Sequence, residues 1–142
     1  MTADELFCVP DDGMRRELLA GVVRVMEPAG FGHGRVAAAI GGMLSAHVRE
    51  HRLGVVLAAE TGFVLASDPD TVRAPDAAFV RRERVEALGE TSRFWPEAPD
   101  LAVEVISPHD AFSDVRIYDE GEWVDASAAV AGWSLVVADA FS

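Results

Sequence analysis

The segment LAVEVIS, at residues 101–107, constrains the fold of this chain more than any other part of the sequence. Alternate side chains of a β-strand share one face of the sheet, and both faces of residues 101–106 are apolar except at Glu104. Strands with two apolar faces are typical of central positions in a sheet that is covered on both sides. The segment therefore predicts a layered α/β domain with this strand near the centre of its sheet.

Glu104 needs a partner in such a strand, because an isolated ionised carboxylate is costly to bury. It could pair with a buried arginine or lie near a sheet edge, and its role would then be structural. Asp76 offers a different explanation, since it follows Pro75 at the start of a second predicted strand, although Pro-Asp is also a common turn dipeptide. Two converging carboxylates favour a shared cation. Their oxygens suit Mg²⁺ or Mn²⁺, either of which can activate water for attack on a phosphodiester.

Three further patterns predict the elements of the first half of the chain. Thr2 and Glu5 fit a capping box, which predicts a short helix from residue 3 to about residue 9. Gly21 separates two short β-prone runs, which indicates a hairpin. Apolar residues recur at helical spacing from Gly34 to Arg52, and this is the clearest amphipathic helix in the sequence.

Strands follow this helix. VVLAAETGFVLA predicts one bent strand or a hairpin through Thr61 and Gly62, and RAPDAAFV predicts a strand that begins near Asp76. The polar segment RRERVEALGETSRFWPEAPD predicts an irregular connection with one helical turn. A helix followed by a largely antiparallel sheet is typical of an α/β sandwich.

Size and charge exclude several classes of protein. A chain of 142 residues predicts one domain. Its 24 acidic and 12 basic residues give a formal charge of −12, which opposes non-specific adhesion to nucleic acid or anionic membranes but still permits a metal-mediated phosphate contact. The single Cys8 excludes an internal disulfide and a multi-cysteine zinc site. Without a signal-peptide or transmembrane pattern, we expect a soluble cytoplasmic protein.

Several segments resemble, in order, the Uma-two (Uma2) family of predicted nucleases, which belongs to the PD-(D/E)XK restriction-endonuclease-like superfamily. MRRELLAGVVRVMEP is similar to its early hairpin, GHGRVAAAIGGML to its first core helix, and AAETGFVL to its first core strand. APDAAFV and PDLAVEVISP are similar to the two strands that carry its acidic motif. The resemblance runs from about Thr2 to Asp110. It implies a restriction-endonuclease-like sandwich, with a mixed, largely antiparallel central sheet flanked by helices.

The resemblance also implies site residues. By motif position, Asp76 and Glu104 would be the catalytic acids and the ligands of Mg²⁺ or Mn²⁺, and Glu60 would be a further ligand or else a solvated residue before a turn. Glu17 and His33 match family positions more loosely and would be accessory residues. His33 could equally be an ordinary residue of the first helical turn.

The chain departs from the superfamily pattern at the motif lysine. Ile106 stands two residues after the acid, and the sequence contains no lysine at all. Arg116 is the one arginine after Ser107 and would be a further accessory residue, because arginine can stabilise charge on phosphate although it cannot readily give or take a proton. Residues 111–142 form an atypical tail, so we expect the last helix and strand to be incomplete and the amides beyond about Asp110 to exchange quickly. Natural decay of the site and a reading-frame change near residue 115 both explain such a tail.

Three hypotheses therefore remain. The first is a metal-dependent DNA endonuclease, impaired by the absence of lysine, with DNA as its partner and no membrane contact; a homodimer is left open. The second is a non-catalytic binding or scaffold domain that retains the nuclease fold. The third is an unrelated α/β domain in which every acidic residue is structural.

Overall fold

A computed structural model describes residues 1–106 and 122–140 of the chain. Within these ranges the protein combines helices with antiparallel β-sheets, as the sequence predicts. The elements, in chain order, are α1 (Ala3–Phe7), β1 (Arg15–Leu19), β2 (Val22–Met26), α2 (Phe31–His51), β3 (Gly54–Ala58), β4 (Phe63–Ala66), β5 (Thr71–Arg73), β6 (Ala77–Arg81), α3 (Arg82–Leu88), β7 (Leu101–Val103), β8 (Trp123–Asp125), β9 (Ser134–Val136) and a 3₁₀ helix (Val137–Ala140).

The described strands form two sheets and a separate hairpin. The four-stranded sheet has the order β2-β1-β5-β4, the three-stranded sheet has the order β3-β6-β7, and β8 pairs with β9. Every pairing between these strands is antiparallel. Side chains on opposite faces of β6 reach two different cores, because alternate residues of a strand point to opposite faces: Phe79 packs with α2, whereas Ala78 and Val80 pack with β4 and α3.

The first hairpin and both early helices match the sequence prediction. Thr2 and Glu5 form a complete capping box, and α1 ends at Phe7, two residues earlier than expected. Ala20 and Gly21 both have positive φ, 48° and 79°, as a tight two-residue hairpin turn requires. Helix α2 begins three residues before its expected start and buries its apolar face against β3 and β6.

The segment between β3 and β4 corrects one expectation. It is neither one bent strand nor a hairpin, because β3 and β4 belong to different sheets. The chain after Gly62 pairs with Trp95 instead of turning back on β3: the Val64 N–H donates to the Trp95 carbonyl at 2.9 Å, and the Trp95 N–H donates to the Gly62 carbonyl at 2.9 Å. Burial of Phe63 beside Trp95 holds this arrangement.

The position of β7 corrects another expectation. Among the described strands β7 is at the end of its sheet and spans only three residues, so Glu104 lies just beyond the strand rather than inside it. The central position belongs to β6, where the residues from Ala77 to Val80 are at most 2% exposed. Strand β5, which the sequence analysis missed, pairs with both β1 and β4, and α3 is longer than the single turn expected.

The described part of the tail packs more extensively than the sequence suggests. Val130, Trp133 and Leu135 are 0%, 6% and 7% exposed and join the core formed by α2 and Phe79. Nε2 of His47 lies 2.8 Å from the Ala131 carbonyl oxygen, which fixes the β8–β9 turn against α2. No helix in residues 1–106 or 122–140 has both the length and the apolarity needed to cross a membrane.

Candidate active site

Acidic and basic side chains meet where the two sheets adjoin. The chain leaves the four-stranded sheet after Arg73 and enters the three-stranded sheet at residue 77, so Asp76 lies at the crossing. Glu17 comes from β1, Glu104 from the end of β7, and His33 from the first turn of α2. The structure therefore brings together four of the acidic and histidine positions that the resemblance implies.

Asp76 is held on both carboxylate oxygens. Its side chain is 5% exposed. Oδ2 accepts a hydrogen bond from the Val105 N–H at 2.7 Å and lies 3.0 Å from Nε2 of His33, while Oδ1 lies 3.9 Å from a terminal nitrogen of Arg15. Because the Val105 N–H immediately follows Glu104, this bond also fixes the backbone at Glu104 next to Asp76.

Glu17 is the other buried acidic residue among those the structure describes. Oε1 accepts a hydrogen bond from the Ala74 N–H at 2.9 Å. Oε2 lies 2.8 Å from Nε of Arg73, a close ion pair in which the N–H direction does not meet hydrogen-bond geometry. Glu17 therefore ties β1 to the segment that leads into Asp76.

Glu104 is more exposed than Asp76 and Glu17, and its pKa is raised. Its side chain is 31% exposed, and Oε1 lies 4.0 Å from a terminal nitrogen of Arg73. Burial raises the pKa of Glu104 to about 7, with further contributions from the carboxylates of Asp76 and Glu17, and the two arginines only partly oppose this rise. The sequence left open an arginine partner or an edge position; the structure has an edge strand and a distant arginine.

Arg15 and Arg73 are the site residues that the sequence analysis missed. Arg15 donates through a terminal nitrogen to the Ala74 carbonyl, and its side chain is 23% exposed. Arg73 contacts Glu17 and Glu104. The spacing of Arg15 and Glu17, two residues apart in one strand, places both on the same face and was an available signal. Arg73 could not be placed because β5 was not predicted.

Glu60 and Arg116, the two remaining predicted site residues, are not seen within the acidic cluster that the structure describes. Glu60 is exposed with a φ of 74°, in the loop after β3, and lines a cleft of about 670 Å³ together with Arg15, His33 and Asp76. It thus borders the site without a contact to the acidic cluster among those described above. Arg116 lies outside the described residues.

The donor set fits a hard cation in a limited sense. In the part of the chain that the structure describes, no three His, Cys, Asp or Glu side chains are arranged as a metal-ligand set. Mg²⁺, however, is commonly held by one or two carboxylates and keeps several waters. Asp76 and Glu104 supply two carboxylates. Burial, followed by the neighbouring carboxylates, raises the pKa of Glu104 to about 7, and Arg73 and Arg15 offset this rise only in part.

Comparison with known proteins identifies a family and a similar fold. The model of the Uma2 family, described as "Putative restriction endonuclease", matches residues 3–119. The crystal structure of a "putative nuclease belonging to DUF820" from Anabaena variabilis is similar with a TM-score of 0.77 and 15% sequence identity, over 99% of this chain and 97% of that chain. No curated protein matches the sequence. At this identity the structural likeness shows the fold alone, and it agrees with the predicted sandwich.

Proposed function

The chain belongs to the Uma2 family of restriction-endonuclease-like proteins, and on that premise we propose that it hydrolyses phosphodiester bonds of DNA with a divalent metal ion. The observation that carries the proposal is the convergence of Asp76 and Glu104, joined through the hydrogen bond from the Val105 N–H. A nuclease family implies a nucleic acid as substrate. DNA, a cytoplasmic location and a homodimer are the finer parts of the proposal.

The proposal assigns roles to Asp76, Glu104 and His33. Asp76 and Glu104 would hold Mg²⁺ or Mn²⁺, and the ion would supply an activated water and charge stabilisation at the phosphate. His33 and the Val105 N–H orient Asp76. Glu104 would hold the ion as a carboxylate, and because burial raises its pKa to about 7, this group would have to give up a proton to do so at or below neutral pH.

A plasmid assay tests this function. The purified chain is incubated with supercoiled plasmid and Mg²⁺, Mn²⁺ or a chelator, next to Asp76→Asn and the control Asp125→Asn. Asp125 lies in the β8–β9 hairpin and accepts a bond from the Ser127 N–H, which asparagine can also accept. We expect slow, metal-dependent cleavage that Asp76→Asn abolishes and Asp125→Asn retains. Equal cleavage by parent and Asp76→Asn would overturn the proposal.

A non-catalytic DNA-binding domain is the second candidate. Two observations favour it: the chain contains no lysine, and arginine side chains already lie near each carboxylate of the site. It predicts that the parent binds DNA and Mn²⁺ but leaves the plasmid supercoiled at every protein concentration. The same assay, combined with a gel-shift measurement, therefore separates the two candidates.

A further inference from the structure

The site lacks the motif lysine but does not lack positive charge. The chain has no lysine, yet guanidinium groups of Arg15 and Arg73 lie among the three carboxylates of Asp76, Glu17 and Glu104. Arginine is always charged and presents a planar fork of N–H donors that matches phosphate oxygens. Either arginine can bind an anionic ligand only through N–H groups that its neighbours leave unbonded.

Arg73 is fixed along one edge only. Nε lies 2.8 Å from Oε2 of Glu17, whose own position is fixed by the Ala74 N–H. The terminal nitrogen Nη2 lies 4.0 Å from Oε1 of Glu104, which is beyond hydrogen-bond distance. The side chain is 34% exposed. A buried carboxylate therefore orients the guanidinium while part of its fork still reaches solvent beside Glu104.

Arg15 differs from Arg73 because one of its terminal nitrogens already donates a hydrogen bond. That nitrogen donates to the Ala74 carbonyl, and the other lies 3.9 Å from Oδ1 of Asp76, which is also beyond hydrogen-bond distance. Its side chain is 23% exposed, less than that of Arg73. These contacts fit a counter-ion of Asp76 that also fastens β1 to residue 74. Of the two arginines, Arg73 has the greater capacity for an incoming anion.

We infer that Arg73 is the phosphate-binding residue of the site: its Nε remains on Glu17, and its terminal N–H groups bind non-bridging oxygens of a backbone phosphate placed beside Asp76 and Glu104. Glu17 is then a positioning residue, which acts through Arg73 and does not touch the phosphate. This inference rests on the proposed function, because it names the residue that holds the phosphodiester at the same site.

The chemistry of this arrangement differs from that of a lysine. A guanidinium binds two phosphate oxygens at once and stabilises their charge, but it does not exchange protons near neutral pH. Arg73 therefore contributes affinity and orientation and leaves proton transfer to other groups. Because one edge is held before DNA arrives, less side-chain freedom is lost on binding.

Equilibrium DNA binding tests the inference without turnover. A fluorescent duplex of mixed sequence is titrated with the protein in Ca²⁺, at KCl concentrations from 50 to 300 mM. The variants are Arg73→Gln, Arg73→Lys and the control Arg82→Gln; Arg82 lies on α3 and its ion-pair partner is Glu86. One phosphate contact contributes about 0.9 to the slope of log affinity against log salt.

The expected pattern is specific to Arg73. Arg73→Gln weakens binding roughly tenfold or more and lowers the salt slope by about one. Arg73→Lys keeps the parent slope because the charge is retained, but it binds less tightly because the fork is lost. Arg82→Gln behaves like the parent. Parent-like affinity and slope in Arg73→Gln would refute the inference while leaving the proposed function intact.

Two further comparisons complete the test. Arg73→Gln leaves Glu17 buried without its cation, so the variant could unfold; the double variant Glu17→Gln/Arg73→Gln removes both charges and is compared with Glu17→Gln alone. A loss of slope on adding Arg73→Gln to Glu17→Gln supports the inference, and no change refutes it. If the parent binds no DNA in Ca²⁺ or Mg²⁺, the proposed function fails and the role of Arg73 fails with it.

Discussion

Replacing Glu104 with glutamine removes a charge that its surroundings disfavour. Burial, with the nearby carboxylates of Asp76 and Glu17, raises the pKa of Glu104 from 4.5 to about 7. At pH values above both the unfolded and the folded pKa, a shift of this size means that ionised Glu104 lowers the stability of the folded state by roughly 3 kcal/mol. The side chain is 31% exposed, so solvent screens part of this effect, and we expect about 1–2 kcal/mol. Glu104→Gln should therefore be more stable than the parent by that amount at pH 8 without metal.

The pH dependence follows from the direction of the shift. The folded state holds the Glu104 proton more tightly than the unfolded state, because the folded pKa is the higher one. The stabilising contribution of the protonated group is complete below about pH 4.5 and is lost as the pH rises through about 7. The advantage of Glu104→Gln over the parent should thus grow from pH 5 to pH 8.

Urea unfolding in a chelator, at intervals from pH 5 to pH 8, measures this difference. Glu90→Gln, which changes an exposed glutamate in the loop after α3, is the control and should follow the parent at every pH. If Glu104 instead forms a structural ion pair with Arg73, the free energy of unfolding of Glu104→Gln should be roughly 3–5 kcal/mol lower than that of the parent. Such a loss, or a difference that does not vary with pH, would refute the reasoning.

Metal binding, the packing of residues 122–140 and the contact between β3 and β6 give three further predictions. Mn²⁺ should bind at one main site and raise the melting temperature by mass action; calorimetry should show that Asp76→Asn removes most of this binding, and unchanged binding in both Asp76→Asn and Glu104→Gln would contradict the site. Trp133→Ala should destabilise by about 3–5 kcal/mol in denaturant unfolding, and the amides of the packed core there should exchange slowly; fast exchange throughout would contradict the packing. Gly54→Ala should destabilise by at least about 1–3 kcal/mol in the same unfolding measurement, since φ is 155° and an added Cβ would lie 2.1 Å from the Val80 carbonyl oxygen; parent-like stability would contradict the close approach.

Local signals in the sequence predicted the elements whose contacts are local. The capping box of Thr2 and Glu5, the turn at Gly21 and the apolar periodicity of α2 each act within a few residues, and all three appear in the structure. The pairing of β3 and β4 was not predictable in this way. It depends on Trp95, some thirty residues later, which pairs with the chain after Gly62 and draws β4 into another sheet.

The sequence predicted that Asp76 and Glu104 lie near each other, but it did not predict the arginines beside them. Asp76 and Glu104 could be proposed because motif order identifies them, and the raised pKa of Glu104 agrees with the idea that its charge needs a partner. The prediction that Glu104 lies inside a central strand was wrong, because β7 is short and is at the end of its sheet among the described strands. Arg73 was invisible because three-residue strands such as β5 leave too short a pattern to recognise.

The crossing from β5 to β6 places the site at the boundary between the four-stranded and the three-stranded sheet. Glu17 and Arg73 belong to the four-stranded sheet, whereas Asp76 and Glu104 lie at the edge of the three-stranded sheet. A lateral shift of one sheet relative to the other would alter the distance from Arg73 to Glu104 but would leave the Glu17–Arg73 ion pair unchanged. The connection at residues 59–62 links the same two sheets. Lengthening it would therefore change the distance between Arg73 and Glu104 while the hydrogen bonds between strands within each sheet are kept.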